Sequence, residues 1–249
     1  MKKLLYIVLF ILIFSCNSED ANDCLQTAGD TVIEVRTVNP FSKILVNEGV
    51  EMIIKEGSEY EVEVESGKNL MNDIKVEVID NRLILTDNNS CNHFRKYNTT
   101  KIYVTAPNIT EIRSSTQFDI RSENVLTYAN LSIISEDYNS PDTQTVGDFY
   151  LEINNEALNV VFNNLSNCFV SGNVNNLSVK YFSGNGRFEG QNLIATNVNI
   201  YHRGSNDIIV HPIENLTGNL FGTGNLISVN QPETVEVTQH FKGKLILRN

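Results

Sequence analysis

The sequence predicts an all-β protein: a right-handed parallel β-helix, or solenoid, preceded by an N-terminal antiparallel β-meander. Three observations carry this. From Leu158 onward a short apolar strand, a turn built on Gly or Asn and a second short strand recur, starting at Leu158, Leu177, Val198, Leu216 and Val235, with spacings of 19, 21, 18 and 19 residues. A unit this short cannot cover its own apolar face, so units must stack, and the natural product is a coil of parallel strands about 4.8 Å apart. Superposed from their first residues, the units bring Asn164, Gly184, Gly204, Gly222 and Gly243 within two positions of one another. These residue types accept positive φ most readily, so one column is expected to need a left-handed corner. Upstream, Glu61 to Glu65 reads EVEVE, the period-2 alternation of a half-buried strand.

In each repeat the second strand is supplied by Phe169, Phe188, Ile208 with Ile209, Leu226 with Ile227, and Leu245 with Leu247. A helical reading fails because Gly and Asn interrupt every apolar run before two helical turns could close. The right hand follows from the preference of parallel crossover connections. Earlier units begin at Ile109 and Leu131, so the β-helix is assigned to residues 107–249. The gap from Leu131 to Leu158 is 27 residues, and its surplus falls in the polar stretch 137–148, an expected surface loop.

Residues 31–106 read as the meander, with strands at Val32 to Val35, Lys43 to Val46, Val50 to Lys55, Tyr60 to Glu65, Ile74 to Ile79, Arg82 to Thr86 and Lys101 to Thr105. Asp80-Asn81 is a two-residue link between IKVEVI and RLILT, a hairpin signal. The glutamates of EVEVE are expected on a solvated outer face that discourages edge-to-edge association.

The chain opens with Lys2 and Lys3, an apolar run from Leu4 to Phe14, Ser15 and Cys16. This is a secretory signal, too short for a membrane span. Ile13-Phe14-Ser15-Cys16 resembles a bacterial lipobox, by which residues 1–15 are removed and Cys16 is lipidated. Residues 16–30 then form a polar tether, and Glu19-Asp20 resembles the acidic export signal of Bacteroidetes surface lipoproteins. An exported protein meets oxidising conditions. Cys24 and Cys91 lie in polar, loop-like surroundings and are expected to form a disulfide, whereas Cys168 sits in a ladder strand as a small buried residue.

Charge narrows the partners. The chain has 19 Lys and Arg against 30 Asp and Glu, a net charge of -11. Removing Lys2 and Lys3 with the signal leaves -13. Nucleic acid is excluded as a partner, since phosphate binding needs a basic footprint. The cysteine count offers no zinc spacing, the turns lack a repeated calcium motif, and no cofactor fingerprint is present. One local cluster could hold a ligand: Lys180 and Tyr181 on one unit with Tyr201, His202 and Arg203 on the next. The same cluster is the candidate for a polysaccharide lyase, in which a basic residue takes a proton beside a carboxylate. Exposed aromatics suit glycan contact, and Tyr138, Tyr150, Tyr181 and Tyr201 are the candidates.

The lipobox, the segment DCLQTAGD, the run RTVNPFSKILVNEGVEMIIKEGSEYEVEVE, the following KNLMNDIKVEVIDNRLILT and the Asn/Gly ladder together resemble the putative auto-transporter adhesin, head-GIN domain family. The resemblance implies an envelope protein with a β-helical body and supplies no active-site residues. The combined expectation is a non-catalytic lipoprotein of the outer membrane, on its surface or periplasmic face, anchored through lipid and presenting a β-helical surface to a glycan or protein. The alternatives are a lyase-like enzyme and a passive envelope component that self-associates through the ends of its coil.

Overall fold

The computed structural model describes residues 24, 26–89, 91, 100–138 and 140–248; the signal segment, Cys16 and the tether up to residue 23 lie outside them. Among the described residues the fold is all-β, with seventeen strands joined in one mixed, nearly closed sheet and a single 3-10 helix at Lys68–Asp73. The first seven strands are β1 (Thr31–Arg36), β2 (Lys43–Val46), β3 (Val50–Glu56), β4 (Glu61–Gly67), β5 (Ile74–Ile79), β6 (Arg82–Asp87) and β7 (Thr100–Ala106). Then come β8 (Glu111–Ser114), β9 (Ile120–Ser122), β10 (Asn130–Ser135) and the long strands β11 (Phe149–Phe162), β12 (Cys168–Tyr181), β13 (Phe188–His202) and β14 (Ile208–Leu220). The last three are β15 (Leu226–Ser228), β16 (Thr234–Gln239) and β17 (Leu245–Leu247).

From β10 onward every pairing is parallel and joins a strand to the corresponding strand of the neighbouring repeat. Leu158 lies opposite Leu177, Leu177 opposite Val198, Val198 opposite Leu216 and Leu216 opposite Val235, the residues on which the sequence repeat begins. A second column of partners runs from Phe149 through Cys168, Phe188, Ile208 and Leu226 to Leu245. Alternation then sorts the side chains. Leu177, Val179 and Tyr181 turn inward and are buried, as are Val198, Ile200 and His202, while Asn176, Ser178 and Lys180 face out. The core is a stack of equivalent positions, along which Phe162 and Tyr181 meet at 5.4 Å between ring centroids.

The N-terminal region departs from a meander. β5 and β6 do form the expected antiparallel hairpin, with Asp80 at φ 49° and Asn81 at φ 63°, as a two-residue turn with both central residues left-handed requires. β4 lies antiparallel between β1 and β7. But β2 pairs in parallel with β6 on one side and β8 on the other, and β3 likewise with β7 and β9. The link between β2 and β3 explains this: it carries Gly49 at φ 87° and leads the chain around a corner instead of back along its partner. The β2–β3 pair thus occupies the same two columns as the later repeats, with Ile44 opposite Ile112 and Met52 opposite Ile120. Residues 57–106 leave those columns and return as β6 and β7 on the other side of it, bringing the antiparallel strands to that end of the sheet.

Corners are held by the repeat below. Asn185 and Gly186 donate backbone N–H groups to Asn164 O at 2.8 and 2.9 Å, and Ser205 donates to Gly184 O at 2.9 Å. The expected left-handed column is found only at Gly184, with φ 85°; Gly204, Gly222 and Gly243 have no such angle. At Gly222 and Gly243 the requirement is close approach: a Cβ on Gly222 would lie 2.1 Å from Gly204 O, and one on Gly243 2.2 Å from Gly224 O. Cys24 and Cys91 are joined by a disulfide, and Cys168 is free and buried. The polar segment before β1 joins the fold from Gln26, which is buried and donates to Asn69 O at 2.9 Å.

Candidate binding surface

Five strand segments, 157–162, 176–181, 197–202, 215–220 and β16, lie side by side in one parallel face. Because neighbouring side chains sit in register, like faces like along the ladder. Asn176, Asn197 and Asn215 form one outward column, in which Asn215 Nδ2 donates to Asn197 Oδ1 at 2.7 Å and Asn197 Nδ2 to Asn176 Oδ1 at 3.2 Å. Beside it, Asn199 Nδ2 donates to Thr217 Oγ1 at 2.9 Å. These amides and hydroxyls line an open trough of about 650 Å³ that crosses five strands, β10 to β14, and reaches Thr110 just before β8.

On the corner side of the same face stands a row of aromatic side chains. Phe182 lies 5.2 Å from Tyr201, Tyr201 lies 5.2 Å from Phe221, and Phe221 stacks on His240 at 4.2 Å with their planes 6° apart. Phe182 and Phe221 are 42% and 38% exposed, well above what a core aromatic shows. His240 Nε2 bonds Asn219 Oδ1 at 2.9 Å, which fixes the end of the row. Lys180 pairs in register with Tyr201, and Arg203 is exposed at the start of the corner, where its backbone N–H donates to Tyr181 O at 2.8 Å.

The predicted cluster is therefore split by the sheet. Lys180, Tyr201 and Arg203 are outside; Tyr181 and His202 are fully buried and cannot belong to a ligand surface. The reason is the strand period: adjacent residues point to opposite faces. Tyr181 donates its hydroxyl to Arg187 O at 3.0 Å, and burial raises its pKa well above that of a free phenol. His202 Nε2 lies 2.8 Å from Asn206 O, while Nδ1 accepts from Gly204 N at 3.3 Å. That pattern selects the neutral ring protonated at Nε2, and burial lowers its pKa in spite of the Asn206 contact and nearby Asp207. The charged residues that close the two corners, Arg187 and Asp207, are engaged as well, the first in an ion pair with Glu189 and the second in accepting two bonds from Asn225. The residues proposed for proton abstraction thus do not converge. Phe182, Phe221 and His240 were missed because each lies one residue beyond a strand, where alternation gives no guide, although aromatic or imidazole residues at 182, 221 and 240 recur at near-repeat spacing.

A smaller platform lies on the adjoining face. Tyr150 stacks on Phe169 at 4.7 Å with planes 3° apart, and the Arg121 guanidinium covers the other side of Tyr150 at 4.0 Å. Of the other tyrosine candidates, Tyr138 is 85% exposed on the 137–148 loop. Cys168 is enclosed, and its burial pushes the thiol pKa well up, which leaves it unreactive. Among the described residues no group of three or more His, Cys, Asp or Glu is placed to hold a metal ion, and no helix is long and apolar enough to cross a membrane.

Solved structures share this architecture. A putative adhesin from Bacteroides fragilis aligns with a TM-score of 0.77 at 21% identity, over 89% of this chain and 99% of that one. A putative adhesin from Parabacteroides merdae aligns with a TM-score of 0.62 at 14% identity, over 89% and 97%. A putative lipid binding protein from Parabacteroides distasonis aligns at 0.60 and 16% identity, over 88% and 97%. At these identities the likeness is one of fold. No curated protein matches the chain. The family model of the putative auto-transporter adhesin, head GIN domain, spans residues 40–232, and the chain belongs to that family.

Proposed function

We propose that the protein is a non-catalytic, lipid-anchored binding protein of the outer membrane, which displays the side of a right-handed β-helix to a glycan or a protein. The observation that carries this reading is the outward row of Phe182, Tyr201, Phe221 and His240 with the amide and hydroxyl columns beside it. A ladder in register repeats each contact along the axis, which suits an extended surface better than a single reaction centre. Burial of His202, the imidazole of the candidate lyase cluster, away from the exposed Lys180 supports the same reading. Cys16, ten residues before the buried Gln26 at which the chain joins the fold, is the lipid attachment. The test has two parts. Metabolic labelling with a fatty-acid analogue should mark the native protein and not Cys16→Ala. Cells carrying the protein should bind a glycan or protein surface that cells lacking it do not, and equal binding by both would refute the adhesion reading.

A second reading, end-to-end assembly, is favoured by one feature. β1 presents Ile33 and Val35 at 61% and 64% exposure on a strand whose pairing, among the described residues, is with β4 alone. Such an edge promotes pairing between chains. Light scattering across a dilution series distinguishes the two, since assembly predicts a mass that grows with concentration.

A further inference from the structure

We infer that the aromatic row is a lengthwise site for an anionic polysaccharide, an acidic polymer rather than a neutral one. The inference rests on the binding reading above and adds the class of ligand.

Its first support is periodicity. Four rings on successive repeats follow one another at 5.2, 5.2 and 4.2 Å, so a chain of similar units laid along the row meets a similar platform at each step. Sugar rings present C–H faces to aromatic side chains and hydroxyls to amides, and both kinds of partner are here: the row itself, and Asn199, Thr217 and Asn219 beside it.

The second support is charge. Among the described residues six ion pairs engage Arg36, Lys55, Arg82, Arg113, Arg121 and Arg187. Of the described cations in none of these pairs, Lys180 pairs in register with Tyr201 and Arg203 follows Tyr201 by two residues, so both stand at the row, although the chain carries 30 carboxylates against 19 cations. Across segments 176–182, 197–203, 215–221 and 234–240 the sole carboxylate is Glu236. A protein of net charge -11 thus holds uncompensated cations where its aromatic row is exposed, and a polyanion supplies the counter-charge.

Other occupants fit less well. An extended peptide gains its affinity by adding to a free strand edge, but these segments have their backbone groups engaged with neighbours on both sides from β12 to β14. A lipid surface needs a broad apolar face, and this row is bordered by amides.

The test uses the full chain in detergent and a panel of polymers: polygalacturonate, its fully methyl-esterified form, alginate, hyaluronate and dextran, with phosphatidylglycerol vesicles as the lipid arm. At least one acidic polymer should bind about ten-fold or more tightly than its neutral counterpart, and the binding should weaken several-fold between about 50 and about 300 mM salt. Lys180→Gln with Arg203→Gln should remove most of that preference and flatten the salt dependence. Tyr201→Ala with Phe221→Ala should weaken binding of the acidic polymer about ten-fold with little change in melting temperature, since both rings face outward. Equal affinity for acidic and neutral polymers would overturn the anion assignment and leave the binding reading intact. Binding to vesicles alone, or to no polymer, would overturn the inference; the cell-binding comparison would then decide the broader reading separately.

Discussion

At the scale of single residues, the strand period decides which polar groups can act at all. His202 and Tyr201 are neighbours in sequence, yet one is sealed in the core and the other faces solvent. His202 makes the core sensitive to acid. Its folded-state pKa is depressed by burial, so the unfolded chain takes up a proton first, near pH 6.5. The stability owed to the neutral ring is complete above that pH and is lost as pH falls toward the folded pKa. His202→Phe keeps an aromatic ring against Tyr181 but leaves Asn206 O and Gly204 N without their partner. At pH 7 the variant should be less stable by about 1–3 kcal/mol. Between pH 7 and pH 5 its melting temperature should fall less than that of the parent, and parallel declines would show that His202 does not carry the acid sensitivity.

At the scale of elements, the corners show why one glycine column is not uniform. Gly184 combines φ 85° with a carbonyl, Asn164 O, 2.0 Å from where a Cβ would sit. Gly204, one repeat on, has an ordinary φ, and its nearest contact is His202 Cε1 at 3.1 Å. Gly184→Ala should therefore cost about 2 kcal/mol or more, whereas Gly204→Ala should stay within about 1 kcal/mol. Denaturant titration of the two variants measures the contrast. Equal losses would mean that the corner stack tolerates displacement of its carbonyls. The Gly/Asn column was legible in the sequence; which member needs a left-handed φ and which needs only room was not, because both demands select the same residue.

At the scale of the whole molecule, residues 57–106 make an excursion between two strand pairs, β2–β3 and β8–β9, that are neighbours in the sheet. The Cys24–Cys91 disulfide, 67 residues apart in sequence, ties the entry of the fold to this excursion. Closing a loop of that length restricts the unfolded chain by about 4 kcal/mol in the chain-entropy picture. Reduction, or Cys24→Ser with Cys91→Ser, should lower stability by up to that amount. Limited proteolysis should then show earlier cleavage between β1 and β7 than within β11 to β14. Uniform loss across the chain would mean that the antiparallel strands and the parallel ladder unfold as one unit. Most strand positions in the excursion were readable from alternation, as β5 and β6 with their Asp80-Asn81 turn show. Their partners were not, because a period of two names a strand and its buried face but not the strand beside it.

The sequence alone determined the repeat and the positions that open it, since these depend on local alternation and on apolar residues returning every 18 to 21 positions. It predicted two short strands per repeat, whereas the second runs on into the first of the next, as in β12. Tertiary structure decided the rest. The β2–β3 pair joins a ladder that the chain resumes only after residue 106, and this long-range pairing leaves no local periodicity to read. The aromatic row forms because corner residues on successive repeats are brought into contact, so it exists only once the strands have stacked.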